Sequence, residues 1–238
     1  MIKGVIFDMD GVIIDSHPIH KAAWRRFLSC VGKPVNDSEL NFILDGRKKE
    51  DILRHFLGDL SEEQIREYGR QKEKLFREEA LQINLVPGII AFLDHLHAAE
   101  IPLALASSGS RVRVQFILER LRIGGRFRVV VTGDDVIHGK PDPAIFLKAA
   151  DQLGRPPSDL LVVEDAVSGI EAAKQLGMKC LAIASNGRSD LLRSAGADLV
   201  LRDFVGLSLE TLQTMIQEMR LTQRLASQVN PVSSGNEL

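Results

Sequence analysis

From Pro87 to residue 201 the chain repeats one pattern: a short apolar run, a polar turn, then a stretch with helical periodicity. The apolar runs fall at 102–106, 127–131, 160–163, 179–184 and 198–201. Helical stretches fit 88–99, 110–121, 143–153, 168–176, 188–194 and 208–220. Strands alternating with helices of this length are βαβ units, and their crossovers impose parallel pairing. Parallel strands are covered on both faces, so they read as unbroken apolar runs. The predicted fold class is α/β, a doubly wound parallel sheet of Rossmann type.

The chain also opens on such a run. Residues 2–8 read as a strand, and Val5-Ile6-Phe7 leads into Asp8-Met9-Asp10-Gly11. Sites in α/β proteins form at the carboxyl ends of strands, so Asp8 and Asp10 are expected at a crevice. Two carboxylates one residue apart share a side of a strand, and they repel unless a cation or proton lies between them. The plainer alternative is a pair of solvated turn residues.

After this first strand the rhythm breaks. Residues 11–17 read as an extended connector, and Pro18 opens an amphipathic helix that runs to about Val31. Helices are expected at 37–44, 48–57 and 61–82, the last carrying the capping-box signature Ser61-Glu62-Glu63-Gln64. Nothing between 17 and 86 has strand character. The expected organisation is an α/β core from residues 1–15 and 87–220, with a helical cap from 16–86 on the crevice. The tail, 221–238, is rich in Ser, Asn and Gly and is expected to fray.

Three further polar clusters fall at strand ends. Ser107-Ser108-Gly109-Ser110 joins a strand to a helix start, where hydroxyls and free N–H groups can hold a phosphate; Ser also caps helices there. Lys140 precedes Pro141-Asp142-Pro143 at another helix start. A lysine there opposes the helix dipole, which makes sense if it faces anions; a solvated surface lysine is the alternative. Glu164-Asp165 ends a second strand in paired acids, with Asp165 or Ser168 open to a capping role. Asp8, Asp10 and Asp165 together offer oxygen ligands to a hard cation such as Mg²⁺.

Bulk properties narrow the partners. The net charge of −2 gives no electrostatic case for nucleic acid or an anionic membrane. No apolar run approaches the roughly 18 residues that span a bilayer. Cys30 and Cys180 lie far apart, so neither zinc nor a disulfide framework is expected, and a reduced cytoplasmic setting fits. No feature calls for a second copy, and a monomer is the expectation.

With these motifs in order, Asp8-Met9-Asp10-Gly11, Ser107, Lys140 and Glu164-Asp165, the sequence resembles the haloacid dehalogenase-like hydrolase superfamily, in the branch with a helical cap after the first motif. The resemblance covers residues 2 to about 205. Asp15-Ser16, His20, Trp24, Gly46, Lys49-Glu50-Asp51 and Val86-Pro87-Gly88 make it most similar to the β-phosphoglucomutase and sugar-phosphate phosphatase group. The resemblance implies that Asp8 is the nucleophile and forms an aspartyl-phosphate. It implies that Asp10 is the general acid/base, that Lys140 faces Asp8 and the phosphoryl group, and that Ser107 and nearby N–H groups hold its oxygens. It also implies Mg²⁺ on Asp8, the Asp10 main-chain carbonyl and Asp165, with Glu164 a supporting or water-mediated partner. Substrate contacts are then expected from Ser108, Gly46, Arg47, Lys49, His20, Trp24 and Lys72, with His20 and Trp24 sharing a helix face. A half-buried His20, a Trp24 in the cap core and a solvated basic turn are the plainer alternatives for these.

The function implied is a Mg²⁺-dependent phosphatase for a small phosphorylated metabolite, a sugar phosphate. A sugar-phosphate mutase is the alternative, with Ser16 and Lys49 departing from its commonest Thr and Arg. A non-catalytic phosphometabolite sensor is the second alternative. In all three, the cap decides which molecule reaches Asp8.

Overall fold

The computed structural model describes residues 2–185 and 187–218. Six parallel strands form one sheet in the order β3-β2-β1-β4-β5-β6: β1 (Gly4–Phe7), β2 (Leu103–Ser107), β3 (Val129–Thr132), β4 (Leu160–Glu164), β5 (Lys179–Ile183) and β6 (Leu199–Leu201). The predicted fold class is the observed one. The first strand is central, with Phe7 beside Leu105 on one flank and Val163 on the other. The chain builds outward from β1 to β3, then returns to the far side of β1 and builds outward again. That reversal opens a crevice at the carboxyl ends of β1 and β4.

Alternation along β1 serves two cores. Val5 and Phe7 join Phe92, Leu105, Val163 and Phe204 on one face; Ile6 joins Phe146, Ala149 and Val162 on the other. Helices α4 (Ile89–Ala98) and α5 (Arg111–Leu121) cover the first face, with a helix over 209–218. Helices α6 (Ala144–Leu153) and α7 (Val167–Gln175) cover the second, and α8 (Ser189–Ser194) sits by β6. The result is a three-layer stack. No helix among the described residues is long and apolar enough to cross a membrane.

Between β1 and α4 lie α1 (His17–Cys30), α2 (Lys49–Leu57) and α3 (Glu62–Glu79). They enclose an apolar cluster of their own, with Trp24, Phe27, Leu53, Phe56 and Ile65. The capping box of α3 forms as its sequence predicts: Ser61 Oγ accepts from the Gln64 N–H (3.2 Å) and Gln64 Oε1 from the Ser61 N–H (2.9 Å). The two connections to the sheet run side by side, with Asp15 N–H donating to Asn84 O (2.9 Å) and Val86 N–H to Ile13 O (3.0 Å).

Three local expectations are corrected. The segment after Asp10 is a tight turn rather than an extended connector: Gly11 has φ +74°, and the N–H groups of Ile13 and Ile14 both donate to Met9 O. The helix expected at 37–44 is a 3-10 helix, Glu39–Leu44, because Asn36 draws the N–H groups of Ser38 and Glu39 into a local turn. The long helix expected to 82 ends at Glu79 and continues as the 3-10 turn Ala80–Gln82. The expected tail, 221–238, and the end of the helix expected to 220 lie outside the described residues.

Candidate active site

Strands β1, β2 and β4 carry their polar ends to one crevice. Asp8 lies one residue beyond β1, but its N–H still donates to Val163 O of β4 (2.9 Å). The sheet therefore fixes the first acid. Its Oδ1 accepts from Lys140 Nζ at 2.5 Å, and its Oδ2 accepts from the Asp10 N–H at 2.8 Å. Both Asp8 and Lys140 are buried. The same Nζ donates to Glu164 Oε1 at 2.5 Å. Burial opposes the Lys140 charge, but Asp8 and Glu164 outweigh it and raise its pKa. Burial pushes Asp8 up to about 7, with Lys140 opposing and Glu164 and Asp10 adding to the rise. One ammonium thus faces two buried carboxylates, and the cluster carries excess negative charge.

Glu164 spends its other oxygen on the turn that follows β4, accepting from the N–H groups of Asp165 (2.7 Å) and Ala166 (2.9 Å). Glu164 thus supports Lys140 and the turn. Neither Asp165 nor Ser168 caps α7; Ala166 stands at that position. Asp165 is buried, and its Oδ2 accepts no hydrogen bond. The nearest cation is His17, with Nε2 at 2.6 Å. Burial raises Asp165, with His17 opposing. Burial opposes charge on His17, yet Asp165 outweighs it and raises the His17 pKa. Gly11 is required here, since a Cβ at residue 11 would lie 2.1 Å from Asp165 Oδ2.

Asp10 faces the helical insertion. Its Oδ1 accepts from Ser16 Oγ (2.7 Å), meets His20 Nε2 (3.0 Å) and accepts from Arg113 Nη1 (3.0 Å). Its Oδ2 accepts from Arg113 Nη2 (2.7 Å). Burial works to raise Asp10, but Arg113 and His20 hold it well below the usual carboxylate range. Burial and Lys72 push His20 down to about 3, so its ring is neutral. Lys72 Nζ stands 3.1 Å from His20 Nδ1. His20 Nε2 meets both Asp10 Oδ1 and Arg113 Nη1, the latter at 2.8 Å.

The insertion is seated on the sheet edge by its 45–48 loop. Ser108 Oγ donates to Gly46 O (2.8 Å), Ser168 Oγ donates to Asp45 O, and Lys48 Nζ donates to Val136 O (2.7 Å). A cavity of about 330 Å³ lies between, with Asp8, Asp10 and Asp165 on one wall and Trp24, Arg47, Lys49 and Lys72 on the other. Lys140, Ser107 and Glu164 lie behind the first wall, where the Ser107 hydroxyl accepts from the Gly109 N–H (3.1 Å). Arg47 pairs with Asp45 (3.1 Å), and Lys49 is half-buried near Glu50. Trp24 belongs mainly to the core of the insertion, 1% exposed, with Lys72 Nζ 5.3 Å from its ring centroid. Burial and the neighbouring Arg113 push Lys72 down to about 7.

His17 and Arg113 are members of this cluster that sequence motifs missed; Ser16, read from the sequence as part of the connector motif, joins them through Asp10. Arg113 had one signal: it sits on the buried face of α5 with Val114, Ile117 and Leu118. An arginine on an apolar helix face needs an internal partner. His17 had only its place beside Pro18.

The donor set suits a hard divalent cation. Asp8 and Asp165 offer buried carboxylate oxygens beyond two neighbouring strands, in a cluster short of positive charge. Among the described residues no three His, Cys, Asp or Glu side chains form a ready cage. Mg²⁺ does not need one, since it takes one or two carboxylates and completes its shell with other oxygens.

A doubly wound parallel sheet with acids at the ends of β1 and β4, a lysine between them and a helical insertion after β1 defines a class of hydrolytic enzyme. The chain belongs to the haloacid dehalogenase-like hydrolase family, whose pattern matches residues 2–177. It is 35% identical over 201 residues to hexitol phosphatase A of Escherichia coli, covering 84% of this chain and 90% of that protein. It is 34% identical over 238 residues to beta-phosphoglucomutase of Bacillus subtilis, covering 94% of this chain and all of that protein. The crystal structure of beta-phosphoglucomutase from Clostridium difficile matches with a TM-score of 0.82 at 26% identity, over 93% of this chain and 100% of that one.

Proposed function

We propose that this enzyme is a phosphoric monoester hydrolase for a small phosphorylated metabolite, a sugar phosphate, and that it works through an aspartyl-phosphate on Asp8. The observation that carries this reading is the setting of Asp8. It is a buried carboxylate fixed by the sheet, touched by Lys140 and by the Asp10 N–H, at the floor of a cavity with basic residues opposite. The relatives' names point to phosphorylated sugars as the substrate class.

In the first half-reaction an Asp8 oxygen attacks phosphorus in line, and the alcohol oxygen departs with a proton that Asp10 takes up from solvent as the substrate binds. In the second, Asp10 takes a proton from water as that water attacks phosphorus and frees Asp8. Lys140 offsets charge on Asp8 and on the transferring group, and the N–H groups of the 108–110 loop take its remaining oxygens. Mg²⁺, which Asp8, the Asp10 main-chain carbonyl and Asp165 would hold, supplies the charge cancellation that two approaching anions need. Residues 16–86 act as a cap on the core of 1–15 and 87–220. The paired connections at 12–16 and 84–88 are its hinges, and the 45–48 loop is its closing edge. Gly46, Arg47, Lys49, His20 and Lys72 then meet the sugar part, with Trp24 behind them.

Mutase chemistry is the second reading, and the seated 45–48 loop favours it. A loop tied to the core by Ser108 and Lys48 keeps water from the aspartyl-phosphate, so a second sugar hydroxyl becomes the acceptor.

The test is phosphate release from a panel of phosphorylated sugars with Mg²⁺. β-glucose 1-phosphate with a trace of glucose 1,6-bisphosphate is followed in parallel for isomerisation. Free phosphate without isomerisation is the expected result, and Asp8→Asn is expected to abolish it with the fold intact. Rapid isomerisation with little phosphate would make the enzyme a mutase. Turnover by Asp8→Asn would remove the covalent route.

A further inference from the structure

Arg113 grips both oxygens of Asp10, while Ser16 and His20 share only Oδ1. Oδ2 accepts from Arg113 alone, and that ion pair occupies the oxygen a leaving group would meet. If the fork withdraws, Oδ2 is freed and Oδ1 stays held by Ser16 and His20, so Asp10 keeps its orientation. The structure also provides for such a movement. The guanidinium lies against Gly109, where a Cβ would stand 2.2 Å from Nη2. It therefore borders the 108–110 loop, and Arg113 and that loop both line the cavity. His20 Nε2 lies 2.8 Å from Arg113 Nη1 and the Phe76 ring centroid 5.2 Å from its Cζ, and neither carries a negative charge to hold it. Lys72, on the other side of His20, has no carboxylate within ion-pairing distance among the described residues. Two cations therefore border the cavity with one carboxylate clamped between them.

We propose that Arg113 is a substrate-binding residue whose fork passes from Asp10 to an anionic oxygen of the incoming substrate, releasing Asp10 Oδ2 for the leaving oxygen. This rests on the phosphatase reading of the same site. The planar fork matches phosphate and carboxylate alike. The anion is either the transferring phosphoryl group or a second acidic group, a carboxylate or second phosphate, on the substrate. No bond is made or broken in the exchange; one ion pair replaces another.

The experiment compares wild type, Arg113→Gln and Arg113→Lys as full chains with Mg²⁺. Inorganic phosphate affinity is measured by calorimetry, and kcat and KM are measured on p-nitrophenyl phosphate and on a hexose bisphosphate. The expected result is a KM rise of about tenfold to hundredfold for Arg113→Gln, the scale of a charge-assisted hydrogen-bond pair. Arg113→Lys, which keeps the charge without the fork, is expected to recover part of it. If the anion is the phosphoryl group, phosphate affinity falls and both substrates suffer equally. If it is a second acid, only the bisphosphate suffers and phosphate affinity holds. A fall in kcat alone, with KM and phosphate affinity unchanged, would overturn the proposal and leave Arg113 a positioning residue for Asp10. Parity of both variants with wild type would overturn it too. A wild type that binds phosphate but turns over neither ester would remove the phosphatase reading, while the phosphate titrations of the variants would still decide for or against Arg113.

Discussion

Two buried lysines lie on opposite sides of one cavity, Lys140 behind its sheet-side wall and Lys72 in its insertion-side wall, and their surroundings are opposite. Lys140 is 2% exposed on the sheet side and touches two carboxylates at 2.5 Å. Lys72 is 5% exposed on the insertion side, with a neutral histidine at 3.1 Å and two aromatic rings about it. The same side chain is raised in pKa at the first place and lowered to about 7 at the second. On the sheet side Lys140 already has carboxylate partners before any ligand arrives, as suits a group that must hold a fixed geometry through a reaction. The insertion side carries positive charge at a cost and recovers that cost when an anion enters. Catalytic preorganisation and substrate attraction are thus divided between the two walls.

The strongest test of this division is Lys140→Met. It leaves Asp8 and Glu164 buried without their cation, and such a loss costs about 3–5 kcal/mol. Urea denaturation is expected to show that loss, with turnover down by more than about a thousandfold. A mild effect on both would mean that Lys140 is not what balances the site. Asp10→Asn comes next. It keeps the shape of the residue and removes its proton chemistry, so kcat is expected to fall by about 10²–10⁴ with an unchanged circular dichroism spectrum. A near-wild-type kcat would assign the proton transfer elsewhere.

Lys72→Met sharpens the comparison by its sign. The folded protein holds this pKa near 7, below the ordinary 10.5. Between those values the unfolded chain binds a proton that the folded one sheds, so wild-type stability gains with rising pH across that window. The penalty is greatest below about pH 7 and gone above the unfolded value. Lys72→Met lacks it and is expected to be more stable than wild type at pH 7, with urea midpoints converging toward pH 10. A destabilised Lys72→Met protein would contradict the contrast between the two lysines. The smallest effect is expected from Ser108→Ala, which deletes one bond to the 45–48 loop, about 1 kcal/mol. Faster amide exchange confined to that loop is the expected signature.

Much of this site was legible from single strand ends. Asp8, Asp10, Ser107 and Asp165 stand where apolar runs stop, and strand position alone brings them to one edge; Lys140 comes from the loop between β3 and α6. The plainer expectations also had a share: Ser110 is a helix cap, accepting from the Arg113 N–H, and Trp24 is core of the insertion. Less was legible in the 11–17 and 37–44 segments, where Gly11 and Asn36 turn the backbone locally against the broader pattern. Arg113 escaped because nothing near it along the chain is acidic enough to call for it.

What the sequence determined by itself is the order of strands and helices and the kind of residue that ends each strand. Those are matters of periodicity and turn chemistry, which act between neighbours along the chain. Only the tertiary structure decided that Arg113 would grip an acid 103 positions earlier, that His17 would reach Asp165, and that one buried lysine would have two carboxylates while the other has none within ion-pairing distance among the described residues. The reason is that charge balance in a buried site depends on which strands lie side by side and how much water is excluded. Neither quantity is defined until the sheet has closed.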